Sequence, residues 1–477
     1  MHLVLDQGTS STKVFLFNGV PEIKFSSRLP HRLSRPAPGH VESDPLHILE
    51  TCYRLIKEAV DFCQKSGQTI NSAGMAVQRS TFLFWDKATA RPLTPAISWQ
   101  DTRSEDQLDS LVQYTDMIQD ATGTPLSAHF GGPKYLHLVR NNPDLQQRVD
   151  QGSVYFGPLS AFLSQSLTGV AGVDHSIAGR SLFMRLDNPE WDERLCNIFN
   201  VDKNVLPPLQ PTLGYFGTIS IDSIDIPIRC VIGDQQAALL GQGGWVDGDL
   251  ALNFGTSGSV MLNTGQRPGQ IPGLISSVLY STDHDIHYLL EGTINTCNSL
   301  FDWLERDLGI SVHRRNWDKL CQKTTTNGVV VPGYCGLAAP YWQDCFDTII
   351  RNIDVTNTDQ IIRASIESIG YFTRDIICLI KNHLPIKLGN ISASGGLSRT
   401  SLLQFIADLL DETVGHTTMK DHTALGVLQL LRKADGYPVK KQAFNHLYKP
   451  SMSAIARQAK IAAWQGALRQ AGIEPVK

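Results

Sequence analysis

The sequence predicts an α/β protein built from two domains of similar design that face one another. The chain has 477 residues, which is long enough for two or three domains of roughly 150 residues each. A strand–turn–strand unit occurs twice, about half a chain apart, with the turn sequences Gly8-Thr9-Ser10 and Gly255-Thr256-Ser257. Between them, an apolar run at residues 226–232 leads into Gly233, Asp234 and helix-forming residues, which is typical of a buried strand, a tight turn and a helix start.

The composition is that of a globular protein. Hydrophobic residues make up 42% of the chain, charged residues 18%, and the net charge is −4, so no nucleic-acid partner is expected. No apolar run approaches the roughly 20 residues of a membrane helix, and the N-terminus shows no signal-peptide pattern. The nine cysteines include no CxxC pair. We expect them to be small core residues in a reducing compartment, which predicts a cytoplasmic location.

The first hairpin joins an apolar strand at residues 3–5 to a returning strand at residues 12–17. A lone turn of small residues is most simply structural. The alternative is a phosphate-binding loop, in which glycine allows an anion close to the backbone, hydroxyl groups donate and a lysine adds charge. That loop would comprise Gly8, Thr9, Ser10, Ser11 and Lys13, with Asp6 holding Mg²⁺ through water.

The next segment predicts a helix that begins at Asp44-Pro45, with one apolar face that includes Leu46 and Cys63. Two apolar strands follow at residues 73–77 and 81–85, with Arg79 between them. Arg79 is either a surface ion-pair partner or a hydrogen-bond donor to sugar hydroxyls. Trp99 is either a core residue or a stacking surface for a sugar ring, and both alternatives stay open. Residues 104–150 are predicted to be mostly helical, and residues 151–225 to form short elements.

Asp234 follows the central strand directly. Its carboxylate can cap the helix that begins there, or it can face a cleft as a general base. For an isolated aspartate the capping role is the simpler explanation, but the two glycine–hydroxyl hairpins favour a catalytic role.

The second half repeats the strand–turn–strand unit and then adds long helices. Strands are predicted at residues 249–254, 259–263 and 390–393, and helices at 298–308, 358–384, 398–410, 424–433 and 454–471. The strand at 390–393 runs into Gly395 and Gly396 before a helix. That turn either is purely structural or lets a phosphate reach the helix N-terminus. The chain contains no GxxxxGK[ST], HExxH, GxSxG or GxGxxG motif, so a P-loop kinase, a zincin and a Rossmann dehydrogenase lack support.

Taken together, these motifs resemble the FGGY family of carbohydrate kinases, and most closely its glycerol kinase branch. The resemblance covers nearly the whole chain in order. It rests on residues 6–13, 78–79, 96–100, 233–239, 255–256, 339–342, 394–396 and 423–426.

The resemblance implies two actin-like (ribonuclease-H-like) α/β domains with a cleft between them. Residues 1–243 would form the acceptor side and residues 244–477 the nucleotide side, with ATP and Mg²⁺ as cofactors. The catalytic aspartate would be Asp234. Arg79, Trp99, His129 and Gln235 would contact the acceptor. Gly8, Thr9, Ser10, Ser11, Gly255, Thr256, Gly395 and Gly396 would bind the phosphates, and Asp6 the metal.

The chain departs from the glycerol kinase pattern at the acceptor positions. Ser80, His129 and Ser259 stand where glycerol kinases carry glutamate, tyrosine and phenylalanine, and Asn298 and Asp302 differ on the nucleotide side. We therefore expect ATP-dependent phosphorylation of a hydroxyl on a small polyol or sugar, with a longer acceptor than glycerol. Two alternatives are glycerol kinase proper and a non-catalytic sugar or nucleotide sensor. The sequence leaves formation of a homo-oligomer open.

Overall fold

The computed structural model describes residues 1–19, 22–312, 316–440 and 443–476. The strands are β1 His2–Gln7, β2 Ser11–Phe17, β3 Ile23–Pro30, β4 Glu42–Ser43, β5 Ser72–Val77, β6 Phe82–Asp86, β7 Ala96–Ile97, β8 Val154–Pro158, β9 Val173–Asp174, β10 Leu209–Gln210, β11 Thr218–Ile221, β12 Ile224–Gly233, β13 Leu250–Phe254, β14 Gly258–Gly265, β15 Ile275–Ser281, β16 Ile286–Ile294, β17 Val329–Val331, β18 Ile349–Arg351, β19 Ile391–Ser394, β20 Val414–His416 and β21 His446–Tyr448. The helices are α1 Pro45–Ser66, α2 Thr115–Thr122, α3 Gly131–Arg140, α4 Pro143–Asp150, α5 Leu159–Thr168, α6 His175–Ala178, α7 Glu193–Ile198, α8 Asp234–Gly241, α9 Ser299–Leu308, α10 Trp317–Lys323, α11 Thr358–His383, α12 Thr400–Leu410, α13 His422–Ala434 and α14 Ala454–Gln470. In these ranges, no helix is long and apolar enough to span a membrane.

A six-stranded sheet organises the first half of the chain, in the order β11-β12-β5-β1-β2-β3. The strands β1, β2 and β3 pair antiparallel, whereas β5 runs parallel to both β1 and β12. The carboxyl ends of β1, β5 and β12 therefore meet at one edge of the sheet, the usual place for a ligand site in an α/β fold. This edge carries Asp6, Arg79 and Asp234.

The second half repeats this topology. Its seven-stranded sheet has the order β15-β16-β14-β13-β19-β20-β21. The strands β13, β14 and β16 pair antiparallel, and β19 runs parallel to β13 and β20. The two Gly-Thr-Ser turns thus occupy equivalent places, between β1 and β2 and between β13 and β14. The predicted α/β class with two similar halves is confirmed.

Most predicted elements lie within two residues of the observed ones, but the predicted burial is wrong for Leu46 and for three of the nine cysteines. Leu46 is 54% exposed, because it lies two positions from the buried Ile48 and so points to the opposite side of α1. The cysteines are free, yet Cys345 is exposed and Cys335 and Cys378 are only partly buried. Cys335 and Cys345 lie in the segment between β17 and β18, outside the packed helices and sheets.

A hydrophobic cluster joins the two halves. It contains Val4 and Ile232 from the first sheet, and Ala251 and Met261 from the second. The helices α8 and α13 lie in this shared cluster, and α13 packs against β1 and β5 although it belongs to the second half of the sequence. The strand β1 is buried on both faces, since Leu3 and Leu5 pack in a separate cluster beneath α1.

Glycines allow α8 and α13 to cross with their backbones in contact. A Cβ atom on Gly241 would overlap the carbonyl oxygen of His422, and one on Gly426 would overlap that of Ala237. The crossing therefore depends on the lack of a side chain at both positions.

A smaller lobe is built on the first sheet. Its four-stranded sheet, β4-β7-β6-β8, packs with α3 through an aromatic cluster. That cluster includes Phe82, Phe84, Tyr135, Phe156 and Phe183. The lobe carries the loops with Trp99 and His129 to the same edge of the first sheet as Asp234.

The helix crossing gives a first prediction. Gly426→Ala forces a methyl group against the backbone of α8, and such overpacking costs about 1–3 kcal/mol or more. We expect the apparent melting temperature to fall by roughly 5 °C or more. Gly466→Ala in α14 is the matched control, because its Cβ meets only the end of the flexible Arg351 side chain and alanine favours the helix. Thermal unfolding followed by circular dichroism measures both. Equal melting temperatures would show that the crossing tolerates a side chain.

Candidate active site

Asp234 lies at the point where β12 ends and α8 begins. It is the first residue of the helix, and the preceding Gly233 occupies the N-cap position without a side-chain hydrogen bond, so Asp234 is not the capping residue. Its Oδ1 accepts a hydrogen bond from the Gln235 N–H at 2.8 Å and lies 3.7 Å from Arg79 Nε. The side chain is 24% exposed, so a ligand can reach it. Desolvation raises the pKa of Asp234, and the positive charge of Arg79 opposes that rise.

The backbone before Asp234 is fixed by a buried polar chain. The Gly233 N–H donates to Ser176 Oγ at 2.9 Å, and the Gln236 side-chain amide donates to the Ser176 carbonyl at 3.1 Å. Asp174 accepts from the Ser176 N–H at 2.9 Å and from the Thr212 hydroxyl at 3.0 Å. Burial raises the pKa of Asp174 to about 7. These contacts hold the turn that presents Asp234.

A buried ion network surrounds Arg79. Both Arg79 Nη atoms donate to Glu291, at 2.7 and 2.9 Å, and Arg180 Nη2 donates to the same carboxylate at 2.6 Å. Burial opposes ionisation of Glu291, but the two arginines lower its pKa to about 2. Glu291 comes from β16 of the second sheet, so this network crosses between the halves.

Neither Glu291 nor Arg180 was among the predicted site residues. A signal for Glu291 was present, because a lone glutamate inside an apolar strand needs a buried partner. Arg180 lies in the 151–225 segment, where no motif marks it.

Asp6 and Lys13 form a second charged group. They face each other across the first hairpin with Nζ 3.9 Å from the Asp6 carboxylate, and Lys13 also pairs with Asp421 at 2.9 Å. Burial raises the pKa of Asp6 to about 6; Lys13 opposes this rise, and Asp234 and Asp421 add to it. Lys13, the predicted positive charge of the phosphate-binding loop, is thus already paired with Asp421 of the second half.

The first hairpin loop contacts two residues of the first half, Trp99 and Gln78. Trp99 Nε1 donates to Thr9 Oγ1 at 2.9 Å, and the Thr9 hydroxyl donates to Gln78 at 3.3 Å. Trp99 is 41% exposed, which excludes the core alternative for it. Within the loop, Gly8 N–H donates to the Ser11 carbonyl at 3.0 Å, and the Ser10 carbonyl accepts from His31 N–H at 2.8 Å.

His129 lies beside Trp99. Its Nδ1 donates to the Trp99 carbonyl at 2.8 Å, because a carbonyl can only accept. Desolvation lowers the pKa of His129, while the hydrogen bond to Trp99 opposes that effect. In the neutral ring, Nε2 is then the acceptor atom. Gln235 is half-buried next to Asp234, whereas Ser80 is buried in the left-handed region with φ of 58°.

The second hairpin and the Gly-Gly turn meet at one cavity of about 410 Å³. It is lined by Gly255, Thr256, Asn298, Phe301, Val312, Trp317, Gly396 and Leu397. The turn needs glycine at residue 395, because φ there is 98° and a Cβ would overlap the Phe254 carbonyl. The structure therefore brings Gly255, Thr256 and Gly396 together, but Gly8 to Ser11 do not line this cavity.

Comparisons with known proteins agree with this arrangement. Residues 1–241 match the N-terminal domain of the FGGY family of carbohydrate kinases, and residues 250–432 match its C-terminal domain. The chain is 31% identical over 483 residues to glycerol kinase 2 of Thermotoga maritima, covering 98% of this chain and 97% of that protein. It is 32% identical over 485 residues to a glycerol kinase of Pseudothermotoga lettingae, with 98% and 97% covered.

Solved structures match over almost the full length. The crystal structure of Plasmodium falciparum glycerol kinase with ADP has a TM-score of 0.91 at 29% identity and covers 98% of both chains. A xylulose kinase from Lactobacillus acidophilus, at 21% identity, has a TM-score of 0.85 over 98% of this chain and 99% of that one, a likeness of fold alone. The predicted family, fold and enzyme class are confirmed: this chain belongs to the FGGY family of carbohydrate kinases, enzymes that use ATP to phosphorylate a small polyol or sugar.

Proposed function

We propose that Asp234 is the general base that activates a terminal hydroxyl of the acceptor. The observation that carries this proposal is its position, partly exposed at the start of α8 and 3.7 Å from Arg79 Nε. Asp234 takes the hydroxyl proton while the acceptor oxygen forms a bond to the terminal phosphorus of ATP. The bond from that phosphorus to the bridging oxygen breaks, and ADP leaves. Desolvation raises the pKa of Asp234, which makes it a better proton acceptor than an ordinary aspartate.

The nucleotide is assigned to the cavity between the second hairpin and the Gly-Gly turn. Gly255, Thr256, Gly395 and Gly396 are the proposed phosphate contacts there. The rings of Phe301 and Trp317, with centroids 5.8 Å apart, give this cavity an aromatic wall suited to a base. In this scheme residues 1–243 form the acceptor side and residues 244–477 the nucleotide side.

The first hairpin loop is proposed to contact the transferred phosphoryl group from the acceptor side. Gly8, Thr9, Ser10, Ser11 and Lys13 are the proposed donors. Trp99 and Gln78 hold Thr9 in place through its hydroxyl. Domain closure would bring this loop toward the nucleotide and exclude water, which otherwise competes as an acceptor.

Asp6 is the proposed Mg²⁺ residue. A magnesium ion is usually held by one or two carboxylates together with substrate phosphates. The residues fit that pattern: the raised pKa of Asp6, about 6, reflects a buried carboxylate that a cation would stabilise. In the described ranges, no group of three or more His, Cys, Asp and Glu residues could hold a metal alone. When bound, the ion would neutralise charge on the phosphates.

For the acceptor we propose a polyol or sugar longer than glycerol. Arg79, Trp99, His129 and Gln235 are the proposed contacts, with Ser80 beside them. His129 offers Nε2 as a hydrogen-bond acceptor, and Trp99 offers an exposed ring face. Ser259 lies on the same sheet face as Glu291, because residues two apart in a strand share a face and Met261 pairs with Glu291. Small side chains at Ser80 and Ser259 leave space that three carbons do not fill.

Glycerol is the second candidate. It is favoured by relatives named glycerol kinase that align over nearly the whole chain. A glycerol acceptor would need another residue to fill the space left at Ser80 and Ser259.

A cytoplasmic location is also proposed. All nine cysteines are free thiols, and six of them are buried, as expected for a reducing compartment.

Replacement of the base gives a second prediction. Asp234→Asn keeps the size of the side chain but removes the proton acceptor, so we expect turnover to fall by about 10²–10⁴-fold while ATP binding persists. Asp187→Asn, at an exposed pair with Arg185, is the control. In the wild type, activity is full above the pKa of Asp234 and is lost as the pH falls through it, which occurs above pH 3.8 because the pKa is raised. A coupled ADP-release assay measures the turnover of the variants and the pH dependence of the wild type. Turnover within tenfold of wild type would remove Asp234 from this role.

Loss of the network carboxylate gives a third prediction. Glu291→Gln leaves two buried arginines without their counter-charge, and breaking a buried pair costs about 3–5 kcal/mol. The wild-type stabilisation is present above the ordinary pKa of 4.5 and is lost as the pH falls toward the folded-state pKa of about 2. The stability of Glu291→Gln should therefore not show the fall with decreasing pH that ionised Glu291 gives the wild type. Denaturant unfolding at pH 7 and pH 3 measures the free energy of unfolding. The control is Asp307→Asn at the exposed pair with Arg306, which should change neither that free energy nor its pH dependence. Unchanged stability of Glu291→Gln would contradict the role given to the network.

The acceptor proposal gives a fourth prediction. Each buried polar group left unpaired by a short acceptor costs about 1–3 kcal/mol. We therefore expect kcat/KM to be highest for an acceptor of roughly four to seven carbons, at least tenfold above glycerol, since 1.4 kcal/mol is a factor of ten. The measurement is ADP release with glycerol, tetritols, pentitols and ketoses. If glycerol is the best acceptor of this panel, the proposal is wrong. If no acceptor stimulates ADP release, the sensor alternative gains support.

A further inference from the structure

Lys134 is a buried lysine that binds three backbone carbonyls. It lies in the first turns of α3 and is 1% exposed. Its Nζ donates to the carbonyl oxygens of Ser80 at 2.8 Å, Ser98 at 2.7 Å and His129 at 2.9 Å. An ammonium group has three donors and no acceptor, so these bonds use its full capacity.

The three carbonyls belong to separate segments that all carry acceptor-side residues. Ser80 follows Arg79 at the end of the first sheet, Ser98 precedes Trp99, and His129 is itself a proposed acceptor contact. The second and third segments are also joined directly, through the His129–Trp99 hydrogen bond. One side chain thus joins three backbone segments that carry proposed acceptor contacts.

The conformation of Ser80 adds a second reason for this assignment. A residue other than glycine with φ near 58° is in a sparsely populated region that costs of the order of 1–3 kcal/mol and persists only when its surroundings hold it. The hydrogen bond from Lys134 to the Ser80 carbonyl is such a restraint. Without it, the Ser80 carbonyl would lose a side-chain donor that restrains this conformation.

Lys134 has no carboxylate within ion-pair distance in the part of the chain that the structure describes. Burial lowers its pKa to about 7, Asp101 opposes this effect, and Arg103 adds to it. A lysine placed in the core only to pack would be better replaced by an apolar residue, because a buried charge is costly unless it is paired or hydrogen-bonded. The carbonyl contacts are therefore the reason for a lysine at this position.

We propose that Lys134 is a positioning residue for the acceptor, which holds the backbone of Ser80, Ser98 and His129 so that Arg79, Trp99 and His129 face the substrate in a fixed arrangement. This inference rests on the proposed function. It requires no contact between Lys134 and the acceptor, and it predicts that loss of the lysine weakens acceptor binding much more than nucleotide binding.

The test compares Lys134→Met with Lys134→Gln and Lys460→Met. Methionine keeps the length but removes all three donors, whereas glutamine keeps two N–H groups. Lys460 is the matched control, since its Nζ also donates to a carbonyl, that of Thr326 at 3.0 Å, and it pairs with Glu367 in the second half of the chain. The readouts are KM for the best acceptor of the panel, KM for ATP, and hydrogen–deuterium exchange of the segments 79–81, 98–101 and 127–131.

We expect Lys134→Met to raise the acceptor KM tenfold or more and to leave the ATP KM within twofold. Lys134→Gln should lie between Lys134→Met and wild type, and Lys460→Met should leave the acceptor KM unchanged. Exchange in the three segments should rise in Lys134→Met and not in Lys460→Met. An acceptor KM within twofold of wild type in Lys134→Met, or equal rises in both KM values, would overturn the proposal.

Two further outcomes are separated by this design. If Lys134→Met does not fold, an unchanged acceptor KM in Lys134→Gln overturns the proposal, and an intermediate rise supports it. If the wild type shows no acceptor-dependent ADP release, the proposed function fails. The exchange data then decide the positioning role, because unaltered exchange in the three segments refutes it without any activity measurement.

Discussion

A buried carboxylate of the second sheet, Glu291, faces two buried arginines of the first half, Arg79 and Arg180. Such an arrangement is stable only while all partners are present, since any one alone would be a costly uncompensated charge. The network therefore fixes how β16 sits against the end of the first sheet. It also fixes Arg79, whose Nε lies 3.7 Å from the Asp234 carboxylate. Burial raises the pKa of Asp234, and the positive charge of Arg79 opposes that rise. The position of the second half thus influences the acid–base behaviour of a residue in the first.

The hydrophobic cluster shared by the two halves also connects them, through apolar packing instead of ion pairs. Its helices α8 and α13 touch at Gly241 and Gly426, and α8 begins with Asp234. Because the two backbones are in contact, a movement of α13 would also displace α8. Lys13 and Asp421 form a further link, directly before α13. Both halves therefore meet beside Asp234 through the Arg79–Glu291 contact, at the first hairpin through Lys13 and Asp421, and at the crossing of α8 and α13.

Local sequence signals predicted the parts of the site that depend on backbone conformation. The strand–turn–helix at Asp234 and the two Gly-Thr-Ser hairpins are short, and their composition alone specifies their geometry. The partners of buried charges could not be predicted in this way. Arg79 and Glu291 are far apart in the sequence, and the residues around one do not identify the other. Lys134 was missed for a related reason: its acceptors are carbonyl groups, which every residue has. The predicted burial of Leu46 was wrong because an apolar pattern defines the buried face of a helix only approximately.

The charges around the first hairpin bear on what that loop can bind. Lys13 is shared by two carboxylates, Asp6 and Asp421, so the group has more negative than positive charge when all three are ionised. A bare polyphosphate would be repelled by such a group, even though the loop has backbone N–H and hydroxyl donors. A divalent cation at Asp6 would reverse the balance and also release Lys13 from part of its attraction to that carboxylate. We infer that the loop is suited to phosphate only together with a cation, which would account for a lysine and two carboxylates side by side at the turn proposed to bind phosphate.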